Sequence, residues 1–508
     1  NNRPMGCQCS QPDGNAIVAW MTPIEEIHNN LTELESLKEQ GRLTADAASR
    51  LANRAVELVF AHFQTGAGCL REAVQLICQI ATDETPELAR TGIQALFPQL
   101  VERLNDSFDP AACQLYDQLF AQVIEFCRRL PGGQRLDEGL KGFGLMNEAD
   151  LLARKANLKP QISNFKSQIQ GSGKAFPQKI LLLSRVTIGA DVAVTSSIIA
   201  KLRQVYPQTE FVILGSRKLR ELYGGDRRIR IHEIAYERGG SLITRLTSWL
   251  DVVAAVHEER EGMSKEEIWV IDPDSRLTQL GLLPLVEHDD NYFFFESRSY
   301  SPSGKSASIG QLAAQWSGEL VGNNHESAYP FVALPDEHQR FGQIVAEQIR
   351  NSQSPIYSVT AVSFGVGGNH SKRVSDEFEQ QQIEGLLANS KIILDKGATS
   401  EEREQVNCII ARLHAQGKTV VELNDATKEQ LDSGKLQSAD ILTWDGSIGA
   451  FAGLIAASDQ YIGYDSAGQH IAAALGVSTL TFFVNSNNAA FAERWRPFGK
   501  GKLDVVYF

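Results

Sequence analysis

The sequence predicts an α/β chain: two Rossmann-like units in tandem, facing a common cleft, behind an all-α N-terminal domain. Three observations predict it. Through residues 15–170 apolar positions recur at helical spacing and no convincing strand interrupts them. From Lys179 the pattern changes to continuous apolar runs of strand length alternating with helical stretches, the mark of parallel strands buried on both faces. After Pro330 and one further helix the alternation restarts. A chain of 508 residues is too long for one core. The expected domains are 1–175 (helical), 176–345 (first Rossmann-like unit) and 346–508 (second).

Taken in order, the helical domain includes IEEIHNNLTELESLKEQ, AASRLANRAVELVFAHF and CQLYDQLFAQVIEFCRRL, punctuated by Thr65-Gly66-Ala67-Gly68 and Pro131-Gly132-Gly133. Gln170-Gly171-Ser172-Gly173-Lys174 has the composition of a linker. The first unit opens with the strand Lys179–Ser184, continues through the helix VTSSIIAKLRQVY, the strand TEFVILGS and the helix RKLRELYG, and includes the strand Ile268–Asp272. The helix DEHQRFGQIVAEQIRN leads into the second unit. Its predicted strands are YSVTAVSFGVGG, SKIILDKG, KTVVELN and SDQYIGYDS, with helices EQQQIEGLLA, EEREQVNCIIARLHAQG, IGAFAGLIAA and QHIAAALG between them. In such sheets ligands bind at the strand C-termini, so two facing units imply a cleft there.

Composition excludes some classes of function. The chain is 43% hydrophobic and 22% charged, ordinary for a soluble globular protein, and its net charge is −13. That argues against general nucleic-acid binding and against broad adhesion to anionic membranes. No apolar run approaches the roughly 20 residues of a membrane span, so stable membrane insertion is not expected. The N-terminus lacks a signal-peptide pattern, which makes a cytoplasmic location the expectation. Seven cysteines, at 7, 9, 69, 78, 113, 127 and 408, form no C-x-x-C pair, so reduced and mostly buried thiols are expected and no metal site.

The chemistry-bearing residues fall in turns after strands. Arg185-Val186-Thr187-Ile188-Gly189-Ala190-Asp191 follows the first strand; Asp191 reads either as a helix N-cap or as a general base aimed into the cleft. Asp272-Pro273-Asp274-Ser275-Arg276 offers a cleft-lining Arg276 or a surface ion pair. Gly365 to Gly368, with Lys372 and Arg373 behind it, combines a glycine loop with two cations suited to diphosphate oxygens. It has neither the dinucleotide nor the Walker spacing, and His370 within it reads as structural or solvent-facing. Trp444-Asp445-Gly446-Ser447-Ile448 precedes a helix; Ser447 reads as its cap, or Gly446 to Ile448 lie near a nucleoside. Most informative is Asp465-Ser466-Ala467-Gly468-Gln469-His470, where an apolar strand turns into an Ala-rich helix. Such a turn offers backbone N–H groups to an anion; the alternative is an Asx-type turn with a buried His.

As a set these residues resemble the family 9 glycosyltransferases, the lipopolysaccharide heptosyltransferases. The family's Ser/Thr-x-x-Gly-Asp-Val-x-x-Ser/Thr segment is matched by Thr187 to Thr195, with Asp191 in place and Ala190 where the family has Gly. Lys372 matches a Lys in a glycine-rich segment, although Val374 and Ser375 replace the Trp-Pro that follows it. Asp465 to Ser478 matches the family's Asp-Ser/Thr-Gly-x-x-His-x-Ala-Ala-Ala-Leu-Gly-x-Pro, with Ala467 at the first Gly. The resemblance covers about 178–508 and implies a GT-B fold.

It also implies an inverting, metal-independent transfer of a heptose-like sugar from a nucleotide-diphospho-sugar, with no cofactor. Asp191 is then the base; Thr187, Arg185 and Arg276 are candidates for the acceptor side of the cleft. Lys372 and the turn Ser466, Ala467 and Gly468 hold the leaving diphosphate, His470 orients the turn or touches the phosphates, Arg373 and Asp465 are further donor-site candidates, and Gly446, Ser447 and Ile448 lie by the nucleoside. The acceptor is expected to be a glycan, a lipid-linked glycan or a protein, and the helical domain to serve acceptor recognition or homo-oligomerisation. The altered glycines and the missing Trp-Pro sustain an alternative, a non-catalytic nucleotide-sugar or glycan binder on a degenerate GT-B scaffold; a sugar-nucleotide epimerase is a third reading. The family ends in a helix packed on its first unit, whereas this chain ends in the strand-like Leu503 to Phe508.

Overall fold

The computed structural model describes residues 22–158, 177–236, 240–287, 291–302, 307–323, 326–351, 358–426, 431, 433–484 and 488–508. The Cys7-Gln8-Cys9 pair and the Gln170–Lys174 linker lie outside them. By its internal contacts the chain divides into Asn1–Leu100 and Val101–Phe508.

The first compact unit holds the helices α1 (Pro23–Glu39), α2 (Ala45–Gln64), α3 (Arg71–Ala81) and α4 (Pro86–Gln94). Thr22 starts α1 with a reciprocal capping box to Glu25, and Thr44 caps α2 through Ala47 N. Their periodic apolar residues, among them Leu34, Leu51, Val59 and Ile77, are buried.

The second unit begins with four more helices, α5 (Glu102–Asn105), α6 (Pro110–Arg128), α7 (Gln134–Gly142) and α8 (Glu148–Leu158). The sequence placed all of 1–175 in one helical domain; the contact division falls at Leu100 instead. The reason is visible in the anchoring of α6 and α8 on the loop that follows the fourth strand. Lys155 Nζ donates to the Leu280 carbonyl and Arg154 Nη1 to that of Gly281 at 2.9 Å. Arg298, paired with Asp274 at 3.0 Å, lies over the Tyr116 ring at 4.8 Å. Buried cations are costly unless paired, so these contacts tie the helices to the sheet.

The first sheet contains β1 (Lys179–Leu183), β2 (Glu210–Gly215), β3 (Ile229–Glu233), β4 (Ile268–Asp272) and β5 (Tyr292–Phe294), in the order β3-β2-β1-β4-β5 and wholly parallel. The second contains β6 (Ser358–Ser363), β7 (Ser390–Asp395), β8 (Val420–Asn424), β9 (Ile441–Asp445), β10 (Gln460–Tyr464), β11 (Ser478–Phe483) and β12 (Leu503–Tyr507). Its order is β12-β11-β10-β6-β7-β9-β8, also parallel. This is the arrangement of two parallel sheets that the sequence predicts. Central strands such as β1 and β4 are apolar on both faces because helices cover both.

Among the covering helices are α9 (Ser196–Val205), α10 (Ile309–Val321), α11 (Asp336–Arg350), α12 (Asp376–Leu386), α13 (Ser400–Ala415), α14 (Ile448–Ala456), α15 (Ala467–Leu475) and α16 (Ala489–Trp495). The expected boundary at 345/346 falls inside α11. That helix packs against the second sheet: Phe341 meets the Trp444 ring at 5.2 Å, and Arg350 reaches the Ala457 carbonyl at 3.1 Å. The sequence reading found no returning helix, yet α16 reaches the first sheet's loops, where Arg494 Nη1 donates to the Tyr300 carbonyl at 3.1 Å. Among the described residues no helix is long and apolar enough to cross a membrane.

Candidate active site

On the first-sheet side the site grows from the turn after β1. Val186 has φ +72°, a strained conformation for a β-branched residue and of a kind that concentrates at functional sites. The helical stretch that follows widens into a π-type turn over Asp191–Thr195. Asp191 is 1% exposed. Its carboxylate accepts from Ser184 Oγ at 2.6 Å, Arg185 N at 2.7 Å and Thr195 Oγ1 at 2.9 Å. Burial pushes this carboxyl up to about 6 against the pull of those hydrogen bonds. Thr187 caps the turn through Ala190 N at 3.4 Å. Arg185 Nη1 donates to the Pro273 carbonyl at 2.8 Å and to Ser297 Oγ at 2.7 Å, stitching this turn to the loop after β4.

In that loop Asp272 and Asp274 are interior groups. Asp272 accepts from Ser275 N, Thr278 Oγ1 and Tyr292 Oη, and Asp274 pairs with Arg298. Asp274, Gln279 and Leu280 all have positive φ. The loop presents Arg276, which is half-buried and, among the described residues, makes no side-chain hydrogen bond or ion pair.

On the second-sheet side β10 turns into α15. Ser466 is its N-cap residue, but its side chain makes no capping hydrogen bond to the first turn. Asp465 Oδ2 accepts from Lys372 Nζ at 2.6 Å, and Asp465 Oδ1 from Gln469 Nε2 at 2.6 Å. His470 is buried, and burial lowers it to about 4, so its ring is neutral at neutral pH and adds no charge to the turn. The two sides meet here. A Cβ built on Gly189 lies 3.1 Å from Ala467 Cα and 3.3 Å from His470 Cδ2, a tight contact that a side chain here would relieve only by pushing the Asp191 turn and α15 apart by a few tenths of an ångström.

The sequence reading missed α16, which spans the meeting point. Phe491 lies under Lys372 at 5.1 Å, and Trp495 lies 5.8 Å from Arg185 and 6.0 Å from His470. It also missed Asp106, at the end of α5. Burial pushes Asp106 up to about 6 against the charges of Lys372 and Arg276, with Glu102 and Asp465 pushing it the same way as burial.

Other expected donor residues are otherwise engaged. Arg373 makes a two-pronged pair with Glu379, at 2.8 and 2.6 Å, and a third bond to Asp376, so its fork is committed within its own domain. The glycine loop is filled by a protein carboxylate: Glu402 accepts from Val366 N, Gly367 N, Ala398 N and Thr399 N. Burial pushes Glu402 up, but these four donors outweigh it and hold it below the usual range. His370 is exposed. At the third turn Ser447 caps Ala450 N at 3.4 Å, Asp425 Oδ2 accepts from Ser447 N at 2.8 Å, and Glu221 Oε2 accepts from Gly449 N at 2.9 Å. A Cβ on Gly446 meets the Trp444 ring at 2.4 Å, so its smallness is explained by Trp444 rather than by a base. Ile448 is half-buried beside it.

Among the described residues no group of His, Cys, Asp or Glu is arranged to hold a metal ion. A surface pocket of about 430 Å³ lined by Lys201, Gln311 and Tyr329 contains none of the site residues.

No family model matches the chain, and no curated protein matches it. Among solved structures it is similar to the family 9 glycosyl transferase of Veillonella parvula DSM 2008, at 14% identity and TM-score 0.45, covering 65% of this chain and 85% of that one. It is similar to E. coli ADP-heptose lps heptosyltransferase II at 13% identity and TM-score 0.43, covering 65% and 90%. E. coli heptosyltransferase WaaC with ADP gives 14% identity, TM-score 0.41 and coverage of 65% and 93%.

Proposed function

We propose that the chain is a glycosyltransferase that moves a sugar from a nucleotide-diphospho-sugar to an acceptor hydroxyl with inversion. One observation carries the reading: the turn bearing Asp191 and the uncapped start of α15, with Lys372 beside it, converge from opposite sheets, so closely that a Cβ added at Gly189 would come within 3.1 Å of Ala467 Cα. In this reading Asp191, ionised, takes the proton of the acceptor hydroxyl as that oxygen attacks the anomeric carbon. The bond to the diphosphate breaks with its electron pair on the leaving oxygen. Lys372 and the first-turn N–H groups of α15 hold the departing charge, work that needs no metal ion. Neutral His470 and Gln469 support the turn by packing and hydrogen bonding. The acceptor is a glycan, a lipid-linked glycan or a protein, and residues 1–175 serve its recognition or self-association.

A base must be ionised to act. With Asp191 at about 6, kcat/KM falls as pH drops through that value and levels off above it. Asp191→Asn lowers transfer roughly 100-fold or more while donor affinity stays within about twofold. A pH–rate profile and a donor titration on both proteins check this.

A second reading, a non-catalytic nucleotide-sugar binder, is favoured by the enclosure of Asp191, whose carboxylate already accepts from three protein donors. Donor binding without turnover over a broad set of acceptors, unchanged in Asp191→Asn, is the result that selects it.

A further inference from the structure

A segment that belongs to neither sheet also reaches the meeting point: the loop from Asn105 to Phe108, between α5 and α6. It is fixed at three points. Asn105 Oδ1 accepts from Arg298 Nη1 at 3.2 Å. The Asp106 carbonyl accepts from Asn488 Nδ2 at 2.6 Å, and the same Asn488 caps α16 by accepting from Phe491 N at 3.0 Å. Phe108, with φ +52°, turns the chain away, and its ring lies 5.5 Å from the Arg494 guanidinium. One asparagine thus holds the loop against the helix whose Phe491 lies under Lys372.

The Asp106 carboxylate has no hydrogen-bond donor among the described residues, while its backbone carries the loop's contacts. Its electrostatic neighbours are Lys372, already held by Asp465, and Arg276, whose guanidinium is unpaired among the described residues. A carboxylate accepts from neighbouring sugar hydroxyls, a guanidinium donates to them, and a half-exposed aromatic face such as that of Phe491 covers the C–H side of a ring. A few polar groups converging beside an aromatic surface are what a site for a small polar molecule requires.

We propose that Asp106 binds hydroxyl groups of the donor's sugar, so that the helical segment α5–α6 selects the sugar while the second sheet holds the diphosphate. The proposal rests on the transferase reading for the position of the diphosphate. A carboxylate placed to accept from a hydroxyl discriminates through that bond, because losing it leaves a polar partner unsatisfied.

The test compares Asp106→Asn and Asp106→Ser with the wild type, titrating ADP, UDP and GDP and their glucose conjugates. The bond between the Asp106 carbonyl and Asn488 survives both substitutions, and an unchanged melting midpoint verifies the fold. The expected result is a loss of about tenfold in affinity for whichever sugar nucleotide the wild type binds, with affinity for the bare nucleotide unchanged. Equal affinity of wild type and variants for the sugar nucleotide overturns the proposal and leaves the transferase reading standing. So does an equal loss for nucleotide and sugar nucleotide, which reports an electrostatic effect on the phosphates alone. Absence of any nucleotide binding by the wild type overturns both.

Discussion

Two helices of the second sheet begin alike and end up differently. Both α14 and α15 follow a strand, and both have Ser as the N-cap residue. At α14 the donors are used by the protein itself: Ser447 takes Ala450 N, Asp425 takes Ser447 N and Glu221 takes Gly449 N. The glycine loop after β6 is treated the same way, with Glu402 acting as an internal anion for two of its N–H groups and for two more in the turn after β7. At α15 the N-cap serine does not cap the first turn, and the charges beside it are Lys372 and Asp465, paired with each other at 2.6 Å. Asp465 accepts from Lys372 and Gln469 and not from the first-turn N–H groups, so under the proposed reading those groups and the lysine are what an external anion would meet. The difference teaches that glycine content and a preceding strand do not by themselves mark a candidate phosphate site; whether the protein's own side chains already take the N–H groups matters more.

The sharpest way to break the contrast is to make α15 resemble α14. Ser466→Asp supplies a capping carboxylate where the diphosphate is expected. Nucleoside diphosphate affinity then falls at least about tenfold, while helix stability is kept or slightly raised. Calorimetric titration and a melting curve on the same protein separate the two effects. Glu402→Gln attacks the filled loop and is expected to act on the fold alone. Its amide cannot satisfy four donors, so unfolding free energy drops by about 3 kcal/mol in a denaturant titration, with nucleotide affinity unchanged in the folded protein. Because the folded-state carboxyl is held below its usual range, Glu402 contributes stability that is present above the unfolded pKa and lost as pH falls. The variant's stability therefore depends less on pH in the acid range. Smallest is Ser447→Ala, which removes one cap bond and costs about 1 kcal/mol. It leaves nucleotide binding intact if α14 is structural; a weakened nucleotide would return α14 to the site.

The same contrast explains how much of the molecule was legible beforehand. Strands such as β1, β2 and β4 were readable because burial on both faces makes them continuous apolar runs. Other strands were not: β3 reads Ile-Arg-Ile-His-Glu with alternating burial, β5 is three residues long, and the interior strands β9 and β11 went unread although the edge strand β8 was found. The turn from Asp465 to His470 was readable since its chemistry is local. The engagement of Arg373, of Gly446 to Ile448 and of the glycine loop was not, because Glu379 lies a helical turn away and Asp425, Glu221 and Glu402 come from separate elements. Asp106 and α16 escaped notice for a related reason. A lone Asp ending a short helix carries no signal until folding sets it beside Arg276 and Lys372.

The most direct measurement is a calorimetric titration of ADP, UDP and GDP into wild type and Lys372→Ala at neutral pH, in buffer containing a chelator. The predicted result is saturable binding of at least one nucleotide by the wild type without divalent cation, weakened about tenfold or more in Lys372→Ala. No binding by the wild type, or equal binding by both proteins, contradicts the assignment of the Lys372–Asp465 turn as the diphosphate site.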